Sequence, residues 1–215
     1  MGVQKQAHVQ TMKIIAIGWN YPKHTNELEQ PVPTEPTVFC KPDSALLKDG
    51  KTMYIPDFTQ QLDYECELVV RIDRLGKGIA AKFAHRYYNE VALGIDFTAR
   101  DLQRKFQAEG KPWELCKGFD GSAILSDFVP LTEIGGDIQN LHFELRRNGE
   151  TVQDGFSGDM LFTVDHIIEF VSRYFTLKTG DLIYTGTPAG VGPVNRGDRL
   201  QGYLEGRKML DFDIK

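Results

Sequence analysis

The segment LDYECELVVRI, residues 62–72, constrains the fold most, because polar and apolar residues largely alternate along it. Side chains of a strand point to opposite faces with a period of two. Leu62, Tyr64, Cys66, Leu68, Val70 and Ile72 therefore share one face, and Asp63, Glu65, Glu67, Val69 and Arg71 share the other. A second apolar run at 91–95 reads as a strand that stops at Asp96. A helix is expected at once after it, with Thr98 and Asp101 spaced as a capping box and Gly110 as its stop.

The rest of the chain reads mostly as short strands and turns. A strand at 14–17 ends at Gly18, and another spans 37–40. Between them, NYPKHTNELEQPVPTEP at 20–36 holds four prolines and many polar groups, so a long loop with one helical turn is expected. Loops of that length in compact domains tend to be lids or binding loops. Phe83, Ala84, Tyr87 and Tyr88 fit one face of a short helix. Asn148-Gly149 sits at a hairpin position, and Thr163 can cap a helix through about Tyr174 with Ile167, Phe170, Val171 and Tyr174 inward. A strand at 182–185 runs into the glycine-rich GTPAGVG, and QGYLEGRKMLDF forms a closing hairpin. The expected architecture is an α+β, mostly β domain: a polar tail at 1–11, then one catalytic domain at 12–215 with a lid at about 20–36.

Bulk properties exclude several classes. A formal net charge of -5 without a dense basic cluster offers nothing to nucleic acid. No stretch approaches the ~20 apolar residues needed to cross a bilayer. Residues 1–11 lack the apolar stretch of a secretory signal, and a cytoplasmic location follows by default. The three cysteines, Cys40, Cys66 and Cys116, lack metal-type spacing and read as reduced core residues.

Glu65 and Glu67 carry the chemistry. Two residues apart on one strand face, their α-carbons lie roughly 6.5–7 Å apart. Two carboxylates at that range repel, and a divalent cation between them is the usual remedy; a wet acidic face is the competing reading. Asp96, at a strand end, is placed to point into a cleft or to serve as a turn residue. Three carboxylates without histidine make an all-oxygen site that favours Mg²⁺ or Mn²⁺ over zinc. His24 and Glu27, three apart in a helical turn, can face the same way, so that Glu27 orients the imidazole. Lys117, after Leu115 and Cys116, sits on a strand-like segment. Arg100 and Gln103, in the first turns of a helix, are anion contacts or ordinary helix-surface residues, and Lys41 before Pro42 is a further candidate. His8, His85, His142 and His166 read as structural or exposed. GTPAGVG is neither a P-loop nor a Rossmann fingerprint, but its glycines permit close backbone approach to an anion.

DYECEL at 63–68 followed by GIDFTARDLQ at 94–103 resembles the fumarylacetoacetate hydrolase family, whose Glu-x-Glu strand and later Asp bind Mg²⁺ or Mn²⁺. GWNYPKH at 18–24, PTVFCKP at 36–42, WELCKGFD at 113–120 and TGTPAGVGP at 185–193 match in the same order, so the resemblance runs from about Lys13 to the C-terminus. Length and motifs look most like the compact branch with acylpyruvases and oxaloacetate decarboxylases. The resemblance implies a mixed β-roll or barrel-like core like that family's C-terminal domain, a homodimer, and a small 2-keto acid chelated by the cation. It implies Glu65, Glu67 and Asp96 as metal ligands, a His24–Glu27 pair that activates water, Lys117 on the substrate carboxylate and Thr187 on the substrate. Pro22 departs from relatives with a small residue two before the histidine.

The expected chemistry is cleavage of the bond beyond C3 through an enolate stabilised by the cation. Oxaloacetate would lose CO₂ without a nucleophile; an acylpyruvate would need water delivered by His24. Two alternatives stand beside it: an isomerase or tautomerase of unsaturated 2-keto or 2-hydroxy diacids, and a non-catalytic metal-binding module.

Overall fold

The computed structural model describes residues 12–27, 31–48 and 50–215. The tail at 1–11 and residues 28–30 of the expected lid lie outside the described residues. The alternating segment forms β4 (Leu62–Tyr64) and β5 (Cys66–Arg71), separated at Glu65, and the apolar run forms β6 (Glu90–Asp96). They pair antiparallel with Cys66 opposite Ile95 and Glu67 opposite Gly94. One step further, the Asp96 N–H donates to the Glu65 carbonyl at 2.8 Å. That register sets Glu65 and Asp96 across from each other on one face, with Glu67 two residues along.

β5 and β6 belong to an eight-stranded mixed sheet. β1 (Ile14–Gly18) pairs antiparallel with β2 (Thr37–Lys41) and parallel with β12 (Leu182–Tyr184), which borders β5. On the other side β6 meets β8 (Ala123–Leu125) and the short β9 (Val129–Pro130), and β8 pairs parallel with β3 (Leu46–Lys48). A second, four-stranded sheet runs β11-β10-β14-β15, from β10 (His142–Arg147), β11 (Glu150–Phe156), β14 (Arg199–Leu204) and β15 (Arg207–Asp213). A small third sheet joins β4 to β7 (Thr98–Ala99) and β13 (Gly192–Pro193). The mostly-β, mixed architecture with a few short helices is the expected one.

The sequence's alternation suggested one buried and one wet face, but β4 is buried throughout and β5 everywhere except Arg71. One face of the large sheet packs Leu68, Val70, Leu93 and Ile95 with Phe143 and Leu145 of the second sheet. The opposite face packs Val69, Ala92 and Tyr184. The carboxylates share this second face and are enclosed as well.

Among the described residues there are five α-helices: α1 (Pro22–Glu27), α2 (Ala81–Ala84), α3 (Arg100–Glu109), α4 (Glu114–Lys117) and α5 (Val164–Tyr174). Pro22 occupies the first helical position, where its fixed φ and missing N–H suit a helix start. Gly110 ends α3 in the left-handed region, and Thr163 caps α5 by accepting from the His166 N–H at 3.2 Å. Asn148 and Gly149 form the hairpin turn with φ of 55° and 89°.

Three local expectations need correction. Thr98 does not cap α3: it lies in β7, and its hydroxyl donates to Glu65. Phe83 and Tyr174 are exposed, because α2 lasts only one turn and the last turn of α5 runs past the core. Lys117 ends a helical turn instead of a strand-like segment. No helix among the described residues is long and apolar enough to cross a membrane.

Candidate active site

Glu65, Glu67 and Asp96 each offer a carboxylate oxygen within 4.8 Å of the others, and all three are buried. Their surroundings differ. Glu65 accepts from Lys117 Nζ at 2.8 Å, from the Arg100 guanidinium at 2.6 Å and from the Thr98 hydroxyl at 2.9 Å. Burial alone would raise its pKa, but Lys117 and then Arg100 hold it below the usual carboxylate range. Asp96 receives Lys117 Nζ on Oδ2 at 2.8 Å and Lys41 Nζ near Oδ1 at 2.6 Å. The Lys41 contact is an ion pair set off the hydrogen-bonding direction, since Oδ1 has no well-directed hydrogen bond among the described residues.

Glu67 has no ion-pair partner among the described residues. Its Oε2 accepts the Gly186 N–H at 2.7 Å, while burial and then the charges of Asp96 and Glu65 push its pKa well above the usual range. Gly186 suits this contact: at φ of 100° with a Cβ position 2.7 Å from Asn20, only glycine brings its amide so close. A buried carboxylate facing two others and lacking a cation is the environment a divalent ion relieves. The oxygen-only donor set fits a hard cation, and Glu65, Glu67 and Asp96 would hold it.

The remaining candidates converge on this triad. His24, Arg100, Gln103, Lys117 and Thr187 line one narrow pocket with Glu65, Trp19, Phe39 and Trp113. Arg100 bridges Asp63 at 2.8 Å, Glu65 at 2.6 Å and Gln103 at 2.5 Å. Lys117 keeps a pKa above its ordinary value: burial opposes the charge, but Asp96 and Glu65 outweigh it. Thr187 donates to the Cys66 carbonyl at 2.9 Å and accepts from Gln153 at 2.8 Å. Its hydroxyl is therefore fixed beside the triad by β5 and β11.

His24 and Glu27 lie on α1, as their spacing predicted. His24 is buried, and its Nδ1 faces Glu27 Oε2 at 3.5 Å, too long for a well-formed hydrogen bond. Glu27 in turn accepts the Gly190 N–H at 3.1 Å, which ties α1 to the glycine-rich loop. Burial lowers the imidazole pKa below its usual range, with Glu65 pulling the other way. The side chain is thus biased to the neutral, proton-accepting form.

Four contributors carried little or no weight in the sequence. Lys41 is fully enclosed: its ammonium donates to the Lys117 carbonyl, to the Ser122 carbonyl at 3.1 Å and to the Ser122 hydroxyl at 3.1 Å. It ties the last residue of β2 to Asp96 and α4 at once, although burial lowers its pKa. Asp63, two before Glu65 on the same strand face, anchors Arg100; that spacing was a usable signal. Asn20 bolts the start of the α1 segment down through both its amide atoms, to Phe162 and to the Thr185 carbonyl. Gln153 satisfies the Cys66 N–H at 2.9 Å where β4 and β5 part, and no sequence pattern marks it. His85, His142 and His166 are exposed, and Cys66 and Cys116 are buried free thiols, as expected.

Residues 13–212 match the family model described as fumarylacetoacetate (FAA) hydrolase C-terminal. The chain is 38% identical over 202 residues to a Bos taurus protein named oxaloacetate tautomerase FAHD1, mitochondrial, covering 94% of this chain and 91% of the relative. It is also 38% identical over 197 residues to oxaloacetate tautomerase YcgM of Escherichia coli, covering 92% of this chain and 90% of the relative. Among solved structures, a fumarylpyruvate hydrolase from Pseudomonas aeruginosa, in complex with Mn²⁺ and pyruvate, superposes with a TM-score of 0.88 at 33% identity, covering 96% of this chain and 93% of the other.

Proposed function

This chain belongs to the fumarylacetoacetate hydrolase family, and from that premise we propose that it is a divalent-metal-dependent enzyme of small 2-keto acids that acts at C3, next to the keto group. The observation that carries the reading is the buried triad, in which Glu67 lacks a cationic partner among the described residues while Glu65 and Asp96 have theirs. When bound, Mg²⁺ or Mn²⁺ would supply fixed positive charge for the keto oxygen that becomes negative as a bond at C3 breaks.

The chain's own groups divide the remaining work. Lys117 and Arg100 are placed to hold the substrate carboxylate, with Gln103 and Thr187 beside them. With Nδ1 turned to Glu27, Nε2 is the His24 nitrogen open to a bound molecule, and as a neutral base it can take a proton from water or from C3. Burial of the pocket keeps competing water away, and residues at about 20–36 would act as the lid that completes it.

Cleavage beyond C3 gives pyruvate, from oxaloacetate by loss of CO₂ or from an acylpyruvate by hydrolysis. The relatives named oxaloacetate tautomerases favour a second outcome at the same place, in which His24 moves a proton between C3 and the oxygen without breaking a carbon–carbon bond. Both outcomes use one enolate, so the metal site does not distinguish them. Incubation with oxaloacetate and acetylpyruvate under Mg²⁺ and Mn²⁺ does: pyruvate release marks cleavage, whereas loss of enol absorbance without pyruvate marks tautomerisation. Inertness toward both acids with either metal would overturn the reading. The same reading carries a homodimer, which light scattering measures, and a cytoplasmic location, although relatives are named mitochondrial.

A further inference from the structure

Thr187 and Gln153 close a ring of hydrogen bonds with Cys66, the residue between Glu65 and Glu67. Each proton in that ring has one place to go. The Cys66 N–H can only donate, so the Gln153 atom 2.9 Å away is its carbonyl oxygen. The Pro188 carbonyl can only accept, so the Gln153 atom 3.0 Å from it is the amide nitrogen. That nitrogen also donates to the Thr187 hydroxyl at 2.8 Å. The single hydroxyl proton of Thr187 therefore goes to the Cys66 carbonyl, 2.9 Å away. All three residues are buried, which makes leaving any of these groups unpaired costly.

Thr187 thus meets the pocket as an acceptor, with one lone pair free and no proton to give. Such a hydroxyl suits an O–H partner and not a carboxylate. The pocket's other side-chain acceptors are engaged. Glu65 accepts from Thr98, Arg100 and Lys117, and Gln103 Oε1 accepts from Arg100. Among the described lining residues, His24 Nε2 and Thr187 Oγ1 are the side-chain acceptors that no cation holds.

We propose that Thr187 holds the second hydrogen of the water that His24 activates, with Gln153 as the residue that positions its hydroxyl. The inference rests on the hydrolytic branch of the reading above. A water that attacks a carbonyl aims an oxygen lone pair at it, so both its hydrogens need acceptors elsewhere. In the step, the water oxygen bonds to the acyl carbon of an acylpyruvate and one proton passes to His24. The bond from that carbon to C3 breaks, and its electron pair forms the enolate. C3 then takes the proton back from His24, which gives pyruvate. The hydrogen held by Thr187 leaves with the carboxylic acid. Lys117 and Arg100 keep the substrate carboxylate throughout.

Pyruvate release from acetylpyruvate and from oxaloacetate in Mn²⁺, compared between wild type and Thr187 variants, tests this. Thr187→Val keeps the shape without a lone pair. Its ratio of hydrolysis to decarboxylation should fall about tenfold, with the loss in kcat and not in KM. Thr187→Ser should recover most of that ratio. Thr187→Cys, whose sulfur accepts only weakly, should fall with Thr187→Val. Mn²⁺ titration of each variant verifies that the carboxylates are in place. An unchanged ratio in both Thr187→Val and Thr187→Cys would overturn the proposal. So would a KM raised equally on both acids, which marks Thr187 as a donor to the substrate carboxylate. A wild type that decarboxylates oxaloacetate and leaves acetylpyruvate intact overturns this inference alone, whereas inertness toward both acids overturns the enzymatic reading.

Discussion

Glu65 and Asp96 are held by a β-ladder, whereas His24 and Trp19 lie on a segment whose own side chains, Asn20 and Glu27, reach across to the backbone of other segments. On the ladder side, one antiparallel register places both carboxylates, and backbone hydrogen bonds keep them there. On the other side, a six-residue helix and a left-handed Trp19 are tied down by the Asn20 amide, by the Leu161 N–H on the Asn20 carbonyl and by the Glu27 carboxylate on the Gly190 N–H. The carboxylates are built on paired strands, where geometry is most rigid, and His24 is built on a short helix outside the sheets. Changes on the ladder side should therefore abolish chemistry, and changes on the α1 side should grade or redirect it.

The largest effects are expected on the ladder. Glu65→Gln and Glu67→Gln should each lower metal-dependent turnover roughly a thousandfold. They should part company in stability. Glu65→Gln leaves Lys117 and Arg100 facing a neutral amide and should cost about 3 kcal/mol in chemical denaturation. Glu67→Gln removes a carboxylate without a cationic partner among the described residues and keeps an oxygen for the Gly186 N–H, so the metal-free protein should hold or gain stability. Equal losses in both variants would break the distinction between the two ligands.

Next comes α1. His24→Ala should lower acylpyruvate hydrolysis about a hundredfold and oxaloacetate decarboxylation much less, because only the first needs activated water. Equal losses on both would argue against that division. Lys41→Met should follow, weakening Mn²⁺ binding by about tenfold, since Asp96 loses one of the two lysines that hold it. A direct Mn²⁺ titration reads this apart from activity.

The smallest effect is a pH dependence. The Glu67 pKa is raised in the metal-free protein, so the folded chain binds a proton there more readily than the unfolded one. Its contribution to stability is therefore present at low pH and lost as pH rises through the folded value. A bound cation must displace that proton, so Mn²⁺ affinity, and the melting-temperature gain from Mn²⁺, should increase with pH. A gain that shrinks with rising pH would contradict this.

The two sides also differed in how far the sequence could be read. Alternation placed Glu65 and Glu67 on one face, and Asp96 stood at a strand end, so the triad was legible once the ordered motifs were weighed. Spacing likewise placed His24 and Glu27 on one turn. What stayed hidden depends on long-range pairing. Lys41 lies 55 residues before Asp96, and nothing local says that β2 ends against α4. Thr98 has the right spacing for a helix cap, yet a buried carboxylate opposite it makes the stronger claim on its hydroxyl. Burial of both sheet faces was also invisible, because alternation records polarity and Glu65, Glu67 and Asp63 are polar yet enclosed.

Mn²⁺ binding to the wild type and to Glu67→Gln, followed by electron paramagnetic resonance alongside turnover of oxaloacetate and acetylpyruvate, tests the central claim most directly. The account predicts Mn²⁺ binding and metal-dependent turnover in the wild type, with both lost in a Glu67→Gln protein that melts no lower. Wild-type turnover that persists in excess chelator, or a Glu67→Gln variant that binds Mn²⁺ as well as the wild type, would contradict it.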